Sequence, residues 1–154
     1  MLLKRAFDIL ASFFGLLVLS PFLLVAGLLV KFSSEGPILF RQARAGRHGI
    51  PFTIYKFRTM FVDHGGSSVS VKGERRITPI GAVLRKLKID ELPELWNILI
   101  GDMSFVGPRP DMPDYASRLQ GEQREILSVR PGLTSPASIK YARRKNCCHG
   151  SMIH

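Results

Sequence analysis

The sequence predicts an α-rich α+β fold with a lipid-seeking N-terminal helix and a small β-hairpin. Three observations carry that expectation. Residues 9–30 form a stretch of 22 residues without a charge, and such a length is enough to cross a hydrocarbon core as a helix. Two short runs of strand-like composition flank a turn containing Gly46 and Gly49, which reads as a hairpin. Two helices then follow, one opened by Thr78-Pro79 and one beginning near Asp90. With 154 residues in all, the chain amounts to one domain with a modest core.

The apolar stretch comes first. Lys4 and Arg5 precede it and Lys31 follows. It is long for the core of a cleaved signal peptide, and no small-x-small site comes after it. A spanning helix is the simplest reading. Ser20-Pro21 stands against it, near the midpoint, because proline removes an amide donor and clashes with the preceding turn. Broken there, each half is roughly 16–18 Å long, enough to enter one leaflet and return. Arg41, Arg44, Arg47, Lys56 and Arg58 follow, with no acid between Glu35 and Asp63. The positive-inside tendency places that side in the cytoplasm, and Lys4 and Arg5 pull the other end the same way. A re-entrant hairpin satisfies both ends and a span only one. Many spanning helices tolerate proline, so these arguments leave both topologies open. The bulk of the protein faces the cytoplasm in either.

Gly36-Pro37 ends this region. Pro37-Ile38-Leu39-Phe40-Arg41-Gln42 and Pro51-Phe52-Thr53-Ile54-Tyr55-Lys56-Phe57-Arg58 are the hairpin strands, joined through Gly46-Arg47-His48-Gly49. His64-Gly65-Gly66-Ser67-Ser68 reads as an exposed, flexible loop. Thr78 is a good cap and Pro79 suits the first helical position, so a helix should run to about Leu87. Asp90 is expected to cap a second helix ending near Gly101. Phe105-Val106-Gly107-Pro108-Arg109-Pro110 reads as a rigid loop, residues 113–128 as helix, and Arg130-Pro131-Gly132 as a turn.

Charge narrows the chemistry. The formal net charge of +10 favours anionic partners: nucleic acid, anionic lipid or phosphorylated metabolites. No nucleic-acid motif accompanies it, and basic residues flank the apolar stretch, so nucleic acid is not an expected partner. Cys147 and Cys148 are adjacent and imply no disulfide framework; with His149 and His154 they are poorly placed to chelate one ion. His48 and His64 are lone loop histidines. Asp90 and Glu91 are the candidates for chemistry. Acids near a helix start are favoured by the macrodipole, which should keep them ionised as nucleophile or metal ligand. Arg109 lies between Pro108 and Pro110, which pin its backbone and suit its guanidinium to bidentate phosphate binding.

Taken in order, these segments resemble the bacterial sugar transferases, the monotopic phosphoglycosyl transferases. The resemblance rests on the basic-apolar start with Ser20-Pro21, on Gly36-Pro37-Ile38-Leu39-Phe40-Arg41-Gln42 and on Lys56-Phe57-Arg58-Thr59-Met60. It continues through Arg85 with Asp90-Glu91-Leu92-Pro93-Glu94-Leu95-Trp96-Asn97, Gly101-Asp102-Met103-Ser104-Phe105-Val106-Gly107-Pro108-Arg109-Pro110 and Arg130-Pro131-Gly132-Leu133-Thr134. The resemblance implies transfer of a sugar 1-phosphate from a nucleotide diphospho-sugar, expected to be a uridine one, to polyprenyl (undecaprenyl) phosphate. That reaction would be the first membrane step of a bacterial surface glycan pathway.

By matching positions, Asp90 would be the nucleophile of a covalent aspartyl phospho-sugar, and Glu91 would bind Mg²⁺ with it or assist the second step. Lys56, Arg58, Arg85, Arg109 and Arg130, with Pro108 and Pro110, would hold phosphates or order the carboxylates. Ser20-Pro21 would make a re-entrant, helix-break-helix membrane segment over residues 1–32, with amphipathic interfacial helices in a cytoplasmic catalytic domain over residues 33–141. The implied location is the cytoplasmic face of the bacterial inner membrane. The implied partners are the nucleotide-sugar, the polyprenyl phosphate and the lipid bilayer, with a homo-oligomer left open. Residues 137–141 still read like one branch of the family, whereas residues 142–154 form an atypical tail. The alternative is therefore a truncated, catalytically inactive membrane-anchored remnant or partner-binding protein.

Overall fold

The computed structural model describes residues 2–62 and 76–135. The expected loop at residues 64–68, residues 137–141 and the tail at residues 142–154 lie outside the described residues. Helix α1 (Leu2–Ser33) is long and apolar enough to cross a membrane. It runs without interruption through Pro21, so the expected division into two helices is not seen. The reason is local. Pro21 lacks the amide that would donate to the Leu17 carbonyl four residues back. The Ser20 hydroxyl donates to that same carbonyl at 2.8 Å, satisfying the acceptor the proline orphans.

One stripe of α1 packs on the rest of the protein along its whole length. Asp8, Ser12, Ala26, Gly27 and Val30 are buried, and Leu16, Leu19 and Leu23 are packed beside them. Their three- and four-residue spacing is that of one helix face. Leu10, Phe13, Leu17, Val18, Leu24 and Leu28 stay exposed. Both ends are fastened as well. Arg5 donates to the Ile98 and Leu99 carbonyls at 2.6 and 2.9 Å, and Asp8 accepts from Ser104 at 2.9 Å. At the far end Arg58 donates to the Ser34 carbonyl at 2.6 Å.

The hairpin is present as expected: β1 (Leu39–Ala45) pairs antiparallel with β2 (Pro51–Phe57). Its turn contains a 3₁₀ segment, Arg47–Gly49, with His48 in the left-handed region at φ 60. Helix α2 (Pro79–Leu87) begins as predicted, with Thr78 Oγ1 accepting from the Gly81 amide at 2.9 Å. It ends at Lys88, again left-handed, which launches a 3₁₀ turn, Ile89–Glu91. Helix α3 (Glu94–Ile100) starts only after Pro93 and stops at Gly101, whose φ is 107. Asp90 therefore does not cap α3. It occupies the preceding turn, because Pro93 takes the helix-starting position that its fixed φ suits.

Beyond α3 the chain forms β3 (Ser104–Val106), helix α4 (Pro113–Arg118), a 3₁₀ segment (Gly121–Ser128) and β4 (Gly132–Thr134). Strands β3 and β4 pair in parallel, a contact that the expected loop and turn did not contain. The single helix expected over residues 113–128 is interrupted where Leu119 and Gln120 are extended and Gly121 takes φ 56. Two apolar clusters hold the parts together. Ala26 and Val30 of α1 pack with Phe57 and Leu84; Ile54, Leu95, Ile98 and Met103 pack with Leu16 and Leu19. Val83 and Leu87 on α2, and Trp96 and Ile100 on α3, are left exposed, each pair one helical turn apart.

Candidate active site

Strand β2, the turn after α2, and the loop between β3 and α4 converge on one cleft. Arg44, Lys56, Glu91, Glu94, Arg109 and Thr134 line it, with Pro110 at its edge. Lys56 reaches it because the hairpin register is regular. Residues two apart on a strand share a face, and the register pairs Phe40 with Lys56, Gln42 with Ile54 and Arg44 with Phe52. Arg44 and Lys56 thus belong to one face. That parity was the sequence signal for Arg44, which motif reasoning missed, as it missed Glu94.

Lys56 Nζ sits between two carboxylates, 3.4 Å from Glu91 Oε1 and 2.9 Å from Glu94 Oε1. Lys88 Nζ adds a contact to Glu91 Oε1 at 3.3 Å. Burial pushes Glu91 up, but the two lysines outweigh it and hold its carboxyl below the usual range. Glu94 is more deeply enclosed. Burial raises it above the usual range, with Glu91 adding to the rise and Lys56 opposing it.

Asp90 differs from its neighbour. Burial and the adjacent Glu91 charge push its carboxyl upward against Lys56 and Lys88. The direction is opposite to the one a helix dipole would give, and α3 begins only after Pro93. Its Oδ1 is buried without a hydrogen-bond partner. A buried carboxylate oxygen left unpaired is unfavourable and uncommon in folded proteins. Such an atom is open to bond formation, whether to a metal ion or to an electrophile.

Arg109 is held by more than its two prolines. The Gly132 amide donates to the Pro108 carbonyl at 2.8 Å, and the Gly107 amide to the Thr134 carbonyl at 3.0 Å. Strand β4 thus clamps the loop that presents Arg109. A side chain at Gly107 would collide with the backbone of Arg130, Pro131 and Gly132. Burial and the nearby Arg109 charge push the Arg44 guanidinium down, with Asp111 and Glu94 opposing. Two guanidiniums repelling each other across a cleft are relieved by an anion between them.

Three predicted phosphate-binding arginines are not brought to this cleft, and Asp90 and Pro108 are not among the residues lining it, although their neighbours Glu91 and Arg109 are. Arg58 is buried against the carboxyl end of α1, donating to Ser34 Oγ at 2.8 Å as well as to the Ser34 carbonyl. There it serves a helix terminus whose last carbonyls lack intrahelical partners. Arg85 donates from Nε to Thr59 Oγ1 at 2.8 Å. Its own carbonyl accepts from the Lys88 amide at 3.3 Å, fastening the turn that carries Asp90. Arg130 donates from Nε to the Gly101 carbonyl at 2.8 Å and lines a different cleft. Asn97 was not singled out. Fully buried on α3, it donates to the Thr53 carbonyl at 2.7 Å and accepts from the Tyr55 amide at 3.2 Å, joining α3 to the strand that bears Lys56.

Comparison with known proteins shows the family. Residues 1–152 match the family model described as bacterial sugar transferase, a match that extends into the tail expected to depart. The chain is similar to the exopolysaccharide production protein PSS of Rhizobium leguminosarum bv. phaseoli, at 43% identity over 93% of this chain and 76% of that protein. It is similar to a UDP-glucose:undecaprenyl-phosphate glucose-1-phosphate transferase of Caulobacter vibrioides, at 43% identity over 91% of this chain and 54% of the relative. It is also similar to a UDP-N-acetylgalactosamine-undecaprenyl-phosphate N-acetylgalactosaminephosphotransferase of Aeromonas hydrophila, at 40% identity over 89% of this chain and 34% of the relative. A match over nearly the whole chain is decisive: the protein belongs to the bacterial sugar transferase family.

Proposed function

We propose that this protein transfers a sugar 1-phosphate from a uridine diphospho-sugar to undecaprenyl phosphate, using Asp90 as nucleophile. The general reaction is supported by relatives whose names state it. The observation that carries the nucleophile is the pairing of fates at the turn: Glu91 is engaged by two lysines, while Asp90 Oδ1 is buried without a partner. One carboxylate is fixed and the other is free to react.

In the first step an Asp90 oxygen attacks the sugar-side phosphorus. The bond from that phosphorus to the bridging oxygen breaks, and uridine monophosphate leaves. In the second step an oxygen of undecaprenyl phosphate attacks the same phosphorus and Asp90 is released, giving the lipid diphospho-sugar. Dividing one displacement into two is the benefit of a covalent route. Lys56, Arg44 and Arg109 bind and neutralise the phosphates. Glu91 and Glu94 hold the Lys56 ammonium in place between them.

Mg²⁺ is part of this reading. Among the described residues no cluster of three His, Cys, Asp or Glu forms. Mg²⁺ instead commonly takes one or two carboxylates with substrate phosphates and water. Asp90 with its unpaired Oδ1, and Glu91 beside it, fit that donor set. Bound there, the ion would neutralise charge on the diphosphate and ease departure of the nucleotide.

The site must face a lipid substrate, so the membrane arrangement belongs to the same proposal. Helix α1 is fastened to one domain at both ends and along its buried stripe. A helix held this way has no free half to cross to the far side while the domain remains on the near side. This supports a one-leaflet reading in which both ends of the uninterrupted α1 stay on the domain's side, with its exposed apolar face in lipid and the cleft on the cytoplasmic side.

The test is release of uridine monophosphate from uridine diphospho-sugars with undecaprenyl phosphate and Mg²⁺. Wild type should turn over, and Asp90→Asn should lose turnover while still associating with membranes. Well-folded wild type that releases no nucleotide across a panel of sugars would favour a remnant without catalysis.

A further inference from the structure

A second cleft lies where the amino end of α1 meets the hairpin turn and the chain leading into β4. Lys4, Arg5, Arg47 and Arg130 line it, together with Asp8 and Ser104. Four cations therefore face one carboxylate, and that carboxylate is turned inward. Asp8 is 3% exposed, with Oδ2 accepting from Ser104 Oγ at 2.9 Å and Oδ1 from the Phe105 amide at 3.3 Å. Among the described residues none of the four cations makes an ion pair.

Main-chain carbonyls fix the four heads instead. Lys4 Nζ donates to the Val106 carbonyl at 2.8 Å and Arg5 to those of Ile98 and Leu99. Arg47 Nε donates to the Ser128 carbonyl at 2.9 Å, and Arg130 Nε to that of Gly101 at 2.8 Å. Cations drawn from three separate segments are thus ordered before any ligand arrives, which reduces the entropy lost on binding. Arg47 and Arg130 use only Nε, so among the described residues their Nη atoms have no protein partner. That paired edge of a guanidinium matches two phosphate oxygens.

The surroundings indicate which phosphate. Leu2, Leu3 and Phe7 on the first turns of α1 are 89%, 88% and 63% exposed, and Val129 lines the cleft itself. A soluble anion gains nothing from this apolar border, whereas a lipid presents a phosphate and hydrocarbon together. We propose that the second cleft binds the headgroup phosphate of an anionic phospholipid, with its acyl chains over the exposed apolar face of α1. The lipid would then serve as a docking ligand, fixing the depth of the domain at the bilayer surface. This site is separate from the cleft lined by Lys56, Glu91 and Arg109 and does not depend on the reaction assigned there.

The full chain in a neutral detergent provides the test, read as the rise in unfolding temperature with added lipid. Phosphatidylglycerol should raise it in a saturable way, while phosphatidylcholine and inorganic phosphate should not. The double variant R47Q/R130Q should weaken the apparent lipid affinity roughly ten- to thirtyfold, from about 1 kcal/mol for each basic residue near an anionic membrane surface. The R47K/R130K pair keeps the charges but loses the forked edges and is expected to respond between wild type and the glutamine pair, and a circular-dichroism spectrum of R47Q/R130Q matching wild type shows that its loss is not misfolding. Arg109→Gln, in the first cleft, should leave the lipid response unchanged. An equal rise with phosphatidylcholine, an equal rise with inorganic phosphate, or an undiminished response in R47Q/R130Q would each overturn the proposal.

Discussion

Asp90 and Glu91 are chain neighbours with opposite electrostatic fates, because hydrogen bonds from two lysines reach only one of them. Lys56 also serves Glu94, which burial pushes above the usual carboxylate range. Removing the ammonium while leaving Glu94 buried and Glu91 half-buried should be unfavourable. Lys56→Gln is expected to abolish turnover and to lower stability by about 1–3 kcal/mol, less than the loss for a fully buried pair because Lys56 and Glu91 retain some solvent. The sign with pH follows from Glu94. A raised carboxyl contributes stability that is present below its unfolded value and is lost as pH rises through the folded one. Lowering the pH from neutral should therefore restore Lys56→Gln relative to wild type, and Glu94→Gln in that background should recover part of the loss. Urea unfolding across pH measures both; a variant whose deficit grows on acidification would contradict the arrangement.

At the scale of elements, local chemistry was legible and distant contacts were not. Thr78-Pro79 located the start of α2, and strand-like runs around Gly46 and Gly49 located the hairpin, because caps and turns are set by neighbours in the chain. Thr78→Ala should cost about 1 kcal/mol through the lost cap, visible as a lower urea midpoint. The parallel β3–β4 pair was not legible, since its strands are separated by α4 and neither carries enough alternation to announce itself. Pairing of that kind shows only as a glycine that must stay small. Gly107→Ala should push Arg109 out of the cleft, weakening nucleotide-sugar binding more than it changes membrane association. A variant with unchanged KM would argue that Arg109 does not depend on this clamp. Arg58, Arg85 and Arg130 fitted the phosphate pattern in sequence, but each has a main-chain or hydroxyl acceptor elsewhere that a linear motif does not display. The Asp90 turn was misread for a related reason: Pro93, and not Asp90, starts α3.

At the scale of the whole molecule, one long apolar helix is laid along a cationic domain and fastened at both ends. Sequence could establish the apolar length and the flanking charges, yet not whether the helix leaves the domain. The buried stripe from Asp8 to Val30 gives the physical reason that it stays. Reporter tags placed before residue 2 and after residue 33 are expected on the same, cytoplasmic side; labelling on opposite sides would require a spanning helix. Ser20 matters here as the donor that replaces the amide missing at Pro21. Ser20→Ala should leave the Leu17 carbonyl without that donor and lower the unfolding temperature in detergent.

Asp90 as nucleophile is tested most directly by mass spectrometry of the protein incubated with a uridine diphospho-sugar and Mg²⁺ in the absence of lipid. The expected result is a phospho-sugar adduct on the peptide containing Asp90, absent from Asp90→Asn and discharged on adding undecaprenyl phosphate. An adduct that persists in Asp90→Asn, or one mapped to another residue, would contradict it.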